Sequence, residues 1–278
     1  LAQHIAAVIH GNTDITIITF FCKISEVSVY SVYYLVVRGI KTLIQSFTSG
    51  IDALFGNMLA NNEKDNLEKR FNMYEVLYFM ICTIAFTCSI ILITPFISVY
   101  TKGINDVNYI RTTFGFLIVI SEYIWAIRLP YSSLTLAAGH FKETRIGAWV
   151  ECISNIVISI IFVSKFGIVG VAIGTIIAMT IRTCEFLYHT NRYILNRSLW
   201  SSIKKIILVM VETVVIVGVS SYLPYLKNIG YINWSINAIM TAVCATVITI
   251  FLNFIFYRNE FKSLMVIIKS VLKRKVKK

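Results

Sequence analysis

Charge is scarce in this chain. Only 14% of its residues are Asp, Glu, Lys or Arg, against 57% apolar residues and a mean hydropathy of +0.74, and this balance excludes a soluble domain of ordinary composition. Proline and glycine are sparse as well, 3 and 13 in 278 residues, which argues against loop-rich or low-complexity architectures. The ten-residue alternation of a membrane β-barrel is missing, and the apolar runs have the length of spanning helices. Six cysteines (Cys22, Cys82, Cys88, Cys152, Cys184, Cys244) stand singly, with no CxxC spacing, so they are expected as packing residues rather than disulfides or metal ligands. There is no HExxH, GxSxG or Walker loop. An enzyme is therefore not expected, and neither is a cofactor or a metal, although a membrane glycan polymerase or ligase could place its site on scattered carboxylates. The chain begins at Leu1 without a signal-like segment and reads as a piece of a longer protein.

What is present is a series of about eight apolar stretches. They run from Gln3 to Phe21, Val29 to Met58, Asn72 to Val99, Ile110 to Ala138, Ile146 to Ser164, Ile168 to His189, Ile206 to Leu226 and Trp234 to Tyr257, and they predict an all-α integral membrane protein. Most of the 26 Lys and Arg fall at one set of ends: Lys64, Lys69, Arg70, Lys142, Arg145, Arg192, Arg197, Lys204, Lys205 and the tail from Arg258. Those ends are expected in the cytoplasm, together with both termini. The net charge of +12 is then accounted for by an anionic inner leaflet, and no nucleic-acid partner is implied. The tail puts Phe261, Leu264, Met265, Ile268 and Leu272 on one face and ends in KRKVKK, which suggests an interfacial helix with a polybasic anchor. Gly170 and Gly174 form a GxxxG pair suited to close helix packing, and Pro95 and Pro130 predict kinks or local unwinding.

One stretch departs from the pattern. Between Tyr30 and Ala60 a helix would place Tyr34, Arg38, Lys41, Gln45, Thr48, Ser49 and Asp52 within a wedge of about 100°, with apolar residues around the remainder. Charges at membrane depth face a bundle interior or a water-filled cavity, so this stripe is expected to line a polar lumen and is the candidate substrate-binding face. With alternating topology, Asp14 of the first span and Glu122 of the fourth reach the depth of Arg38 and Lys41, and Arg128 lies about 9 Å deeper. Asp14, Glu122 and Arg128 are the candidate ion-coupling or cavity residues. A second group, Glu151 and Asn155 on the fifth span and Arg182, Glu185 and His189 on the sixth, is expected to lock helices through a Glu151–Arg182 pair.

Several segments in order carry a family likeness: GNTDITIITFF, EVSVYSVYYLV, FGNMLANNEKDNLEKRFNMYE, PFISVYTKGINDVNY and AAGHFKETRIGAWVECISNIVISIIFVSKFGIVGVAIGT. Up to about His189 the chain resembles the polysaccharide transporter branch (O-antigen or oligosaccharide flippases) of the multidrug/oligosaccharidyl-lipid/polysaccharide (MOP) superfamily. The resemblance implies two six-helix lobes around a central cavity, an additional helix pair, and alternating access. Residues 1–191 would be the second lobe, 192–257 the helix pair with its linker, and 258–278 a basic cytoplasmic tail. The implied substrate is an undecaprenyl-pyrophosphate-linked oligosaccharide, moved across a bacterial inner membrane for surface polysaccharide or lipopolysaccharide synthesis. A first lobe, absent from this chain, would be its partner. Export of drugs, as in other branches of the superfamily, is the competing transport reading, and the cationic stripe disfavours cationic drugs.

Overall fold

A computed structural model describes residues 2–48, 50–61, 63–226 and 228–263. Among these residues all regular structure is helical. Nine α-helices follow in order: α1 (Ala2–Phe21), α2 (Ile24–Thr48), α3 (Ile51–Ala60), α4 (Lys64–Tyr100), α5 (Thr112–Ala137), α6 (Arg145–Phe166), α7 (Ile168–His189), α8 (Trp200–Ser220) and α9 (Tyr231–Phe256). Six spans, with α2 and α3 taken as one, are long and apolar enough to cross a membrane. The two further helices are of spanning length, 20 residues for α1 and 21 for α8; Asn12, Thr13 and Asp14 interrupt α1, and α8 carries three charges, Lys204, Lys205 and Glu212. Ser49, Lys227 and residues 264–278, which include most of the basic tail, lie outside the described residues.

The expected continuous helix from Tyr30 to Ala60 is broken. Gly50 adopts a left-handed backbone, φ +90°, and α3 starts anew after it. An L-residue resists that conformation, whereas glycine adopts it without a Cβ penalty. The stripe therefore ends on α2, and Asp52 belongs to a separate helix. By contrast, α4 and α5 stay helical through Pro95 and Pro130, so of the kink or local unwinding expected there the unwinding does not occur. A π-helical turn, Thr190–Ile194, extends α7.

At the centre is α5, whose buried residues face almost every direction. It packs against α4, α7, α2 and α3, while α1 leans on α6 and α7, and α8 and α9 pack on α4. Helix α2 instead buries only Val29, Tyr30, Tyr33, Val37 and Ile44, leaving a broad face uncovered beside α1. Arg111 pairs with Glu26 at 3.1 Å and Lys102 donates to the carbonyl of Ile229 at 3.4 Å, so the α1–α2, α4–α5 and α8–α9 connections share one end. His140 and His189, 2.9 Å apart, join the α5–α6 and α7–α8 connections at the opposite end. This is the alternating arrangement that the apolar stretches imply.

Helices α6 and α7 form the tightest contact, because small residues let their backbones meet. A Cβ on Gly170 would lie 2.3 Å from the carbonyl oxygen of Phe162, and one on Gly174 2.1 Å from Ser159 Oγ. Gly170→Ala should separate the two helices and cost about 1–3 kcal/mol through overpacking. Gly218→Ala on α8 meets nothing within 4 Å and should be neutral or slightly stabilising. Thermal unfolding in detergent compares the two; equal unfolding temperatures would contradict the close-packing role of Gly170.

Candidate functional site

The polar residues of α1, α2, α5, α6 and α7 converge on one side of the bundle because each helix repeats them at helical spacing. His10 and Asp14 are four apart on α1; Tyr30, Tyr34, Arg38, Lys41 and Gln45 follow steps of three or four on α2; Glu151, Asn155 and Ser159 share one face of α6. The result is a polar wall with three compartments.

In the first, Lys41 Nζ lies 2.7 Å from Glu122 Oε2 and sits 4.1 Å above the Trp125 ring. The cation is thus held by a buried carboxylate and an aromatic face together. One turn away, Arg38 is exposed, and among the described residues its guanidinium has no hydrogen-bond or ion-pair partner. Gln45 is exposed as well, and Tyr34 is half-buried, stacked on Tyr30 with ring centroids 5.7 Å apart. Asp52, exposed on α3, does not join this group.

The second compartment surrounds Asp14, which does not pair with Arg38 or Lys41 despite its similar depth. Its carboxylate accepts from Thr175 Oγ1 at 2.9 and 3.0 Å and from the Tyr30 hydroxyl at 3.3 Å. Thr175 in turn accepts from Asn155 Nδ2 at 3.0 Å, while Asn155 Oδ1 is buried without a hydrogen-bond partner. Every partner of Asp14 is uncharged.

In the third, Arg128 Nη1 lies 2.6 Å from Glu151 Oε1, with His10 Nε2 3.9 Å from the same oxygen. Arg182 Nε is 3.7 Å from Glu151 Oε2, and Arg182 also pairs with Glu185, donates to the Thr144 carbonyl at 2.7 Å and covers the Phe186 ring. The Glu151–Arg182 contact is as expected. Arg128, six residues along α5 from Glu122, joins it from α5. His189 lies apart, against His140.

Reading the sequence missed a fourth cluster, which lies away from the wall and is entirely internal. Glu75 of α4 is 0% exposed and pairs with Lys205 and with Arg197 Nη2, the latter at 3.0 Å. It also accepts from the Tyr131 hydroxyl and from Ser202 Oγ, the latter at 2.9 Å. Asn72 Oδ1 accepts from both cations, at 2.5 Å from Arg197 and 2.6 Å from Lys205. Arg197 and Lys205 are therefore not free surface charges at a membrane edge; Lys205 is 3% exposed. The only sequence signal was a lone acid at the start of an apolar run. Thr175, Tyr30 and Trp125 were equally silent, since hydroxyls and aromatics are common in spanning helices.

Fold and site together define a multi-pass α-helical membrane protein with a polar wall on one side of its bundle. Neither a protein-family model nor a curated protein matches the chain. Solved structures do. Lipid II flippase MurJ in an inward closed conformation superposes with a TM-score of 0.70 at 18% identity, covering 92% of this chain and 52% of its own. A MOP superfamily transporter from Pyrococcus furiosus Vc1 (DSM3638) superposes with a TM-score of 0.56 at 14% identity, covering 91% and 62%. At these identities the likeness is one of fold: the chain shares the helical membrane fold of both neighbours. It spans about half the length of the first neighbour, 52%. The names of both neighbours denote transport rather than enzymatic activity.

Proposed function

We propose that this chain is the second lobe and additional helix pair of an alternating-access flippase for a lipid-linked oligosaccharide carrying a pyrophosphate. The observation that carries the reading is Arg38: a guanidinium unpaired among the described residues, on the uncovered face of α2, about 21 Å along the helix from Ile24, beside the Lys41–Glu122 pair. A guanidinium at that depth without a carboxylate suits a bidentate anionic partner, and phosphate oxygens match its geometry. The pair beside it is a second donor in reserve. An incoming phosphate competes with Glu122 for Lys41, so binding and release are accompanied by an exchange of partners at Lys41. Tyr34 and Gln45 line the same face and offer hydrogen bonds to a glycan.

Asp14 is the coupling residue in this reading, with Arg128 and Glu151 closing the cavity at the deeper end. Its carboxylate, Thr175 Oγ1 and the unpartnered Asn155 Oδ1 present oxygens to a coupling ion without a resident cation to displace. The open side of α1 and α2 would face a first lobe, since alternating access needs one bundle to rock against another. The bias of positive charge supports an inner-membrane orientation with both ends of this segment in the cytoplasm. The fold neighbour named a lipid II flippase supports a lipid-linked ligand.

The test is the full-length protein with Arg38→Ala and Lys41→Ala combined. It should remain folded and lose surface polysaccharide. Arg38→Ala alone should carry most of that loss, because it breaks no pair; losing one charged hydrogen bond weakens a ligand about 10- to 100-fold. Wild-type polysaccharide from the double variant would overturn the cationic-wall reading.

A further inference from the structure

The ionisable groups inside the bundle follow a rule with one exception away from the polar wall. Glu75, Glu122 and Glu151 each have a Lys or Arg nitrogen within 3.0 Å. Glu212 of α8 has none among the described residues, although it is 1% exposed. It sits about 18 Å along α8 from Trp200 and about 12 Å from Ser220, between two membrane spans, α4 and α9. Its partners are neutral: Asn253 Nδ2 donates to Glu212 Oε1 at 2.5 Å, and Thr83 of α4 hydrogen-bonds the carboxyl. Lys205, two turns earlier on the same face of α8, is committed to Glu75.

We infer that Glu212 is a proton-binding site: a carboxylic acid kept neutral in the seam between α4, α8 and α9, where its bound proton allows the helix pair to seat against the six-helix lobe. An ionised carboxylate there would have no countercharge, at a cost of several kcal/mol, whereas the protonated acid donates one hydrogen bond and accepts another. The seam is built for a neutral polar group. Thr241, Thr249 and Asn253 recur every four or eight residues along the buried face of α9, and Thr249 Oγ1 has no partner. Across the seam the Tyr123 hydroxyl donates to Thr83 Oγ1 at 3.0 Å and lies 3.4 Å from Thr213 Oγ1, which Thr87 contacts at 3.3 Å. These hydroxyls form a relay leading away from the carboxyl. Among the described residues the titratable groups within its electrostatic reach are Tyr123 of α5 and Tyr257 after α9, and neither is a cation at neutral pH. Asp14 also lacks a cation but lies on the open polar wall. The site in the seam is independent of the transported substrate.

Infrared difference spectroscopy on the purified full-length protein, wild type minus Glu212→Gln, tests the inference. A carbonyl band of a protonated carboxylic acid should be lost in the variant at neutral pH, and in the wild type it should fade as the pH is raised. A difference spectrum showing carboxylate bands, or no protonated-acid band, overturns it. A second measurement needs no variant: dicyclohexylcarbodiimide, an apolar reagent for protonated carboxyls, should label Glu212 in membranes and leave ion-paired Glu75 unlabelled, as read by peptide mass spectrometry. Equal labelling of both would count against the inference.

Discussion

Replacing Glu75 by alanine is expected to cost about 3–5 kcal/mol of stability, the range for removing one partner of a buried ion pair. Two cations depend on this carboxylate. Without it, Lys205 keeps Asn72 Oδ1, and Arg197 keeps Asn72, Asn191 Oδ1 at 2.5 Å and Ser202, but neither retains an anion. Glu75→Gln should be nearly as harmful, since shape is kept and charge is lost. Adding Lys205→Met to Glu75→Gln should recover part of the loss, because one stranded cation is removed. Thermal unfolding in detergent of the four proteins measures this. A cost below about 1 kcal/mol, the usual value for an exposed pair, would show that the cluster is hydrated. The cluster joins α4 and α5 to α8, so its loss should also loosen α8 from the rest of the bundle.

Replacing Glu151 by alanine should cost about 3 kcal/mol, at the lower end of the same range. It leaves Arg128 without an anion, but Arg182 retains Glu185 and the Thr144 carbonyl. The Arg128 side chain keeps 11% exposure at the polar wall, against 5% for Arg197 and 4% for Lys205, so water can replace the carboxylate to a small extent. The difference between the two sites is informative in itself: a larger loss at Glu151 than at Glu75 would mean that the wall is drier than its exposure suggests. The freed Arg128 adds a cation to the wall, and in the flippase reading an anionic headgroup should be held more tightly and released more slowly by Glu151→Ala. Arg128→Met in the same background should restore much of the stability by removing the stranded charge.

Much of the architecture was legible in the chain. Helix length, helix order and the alternation of ends follow from apolar runs and from where Lys and Arg fall, and both are local properties. The polar face of α2 was legible for the same reason, since a spacing of three or four residues needs no knowledge of neighbours. Its end was not. Gly50 is one glycine among 13, and nothing local marks it, rather than Gly39 or Gly56 in the helices on either side, as the one whose left-handed backbone breaks the stretch.

Pairing was the least legible property. Depth alone put Asp14, Arg38, Lys41 and Glu122 together, yet only Lys41 and Glu122 meet; Asp14 turns to Thr175 and Tyr30, and Arg38 remains open. Depth along a helix axis follows from residue number, but partner choice depends on rotation about that axis. Arg197 and Lys205 read as cytoplasmic loop charges, but the turn before α8 and the start of α8 direct them inward to Glu75, more than a hundred residues earlier in the chain.

The amino-acid sequence by itself determined the membrane-spanning all-helical class, the approximate helix boundaries, and which helices carry polar faces, because hydropathy and helical periodicity act over a few turns. Only the tertiary structure decided that Lys41 is held by Glu122 and Arg128 by Glu151, that Glu75 has two cations, and that among the described residues Arg38 is unpaired and Glu212 has no cation. These outcomes depend on how helices distant in the chain rotate and pack against one another, and no local pattern encodes that rotation.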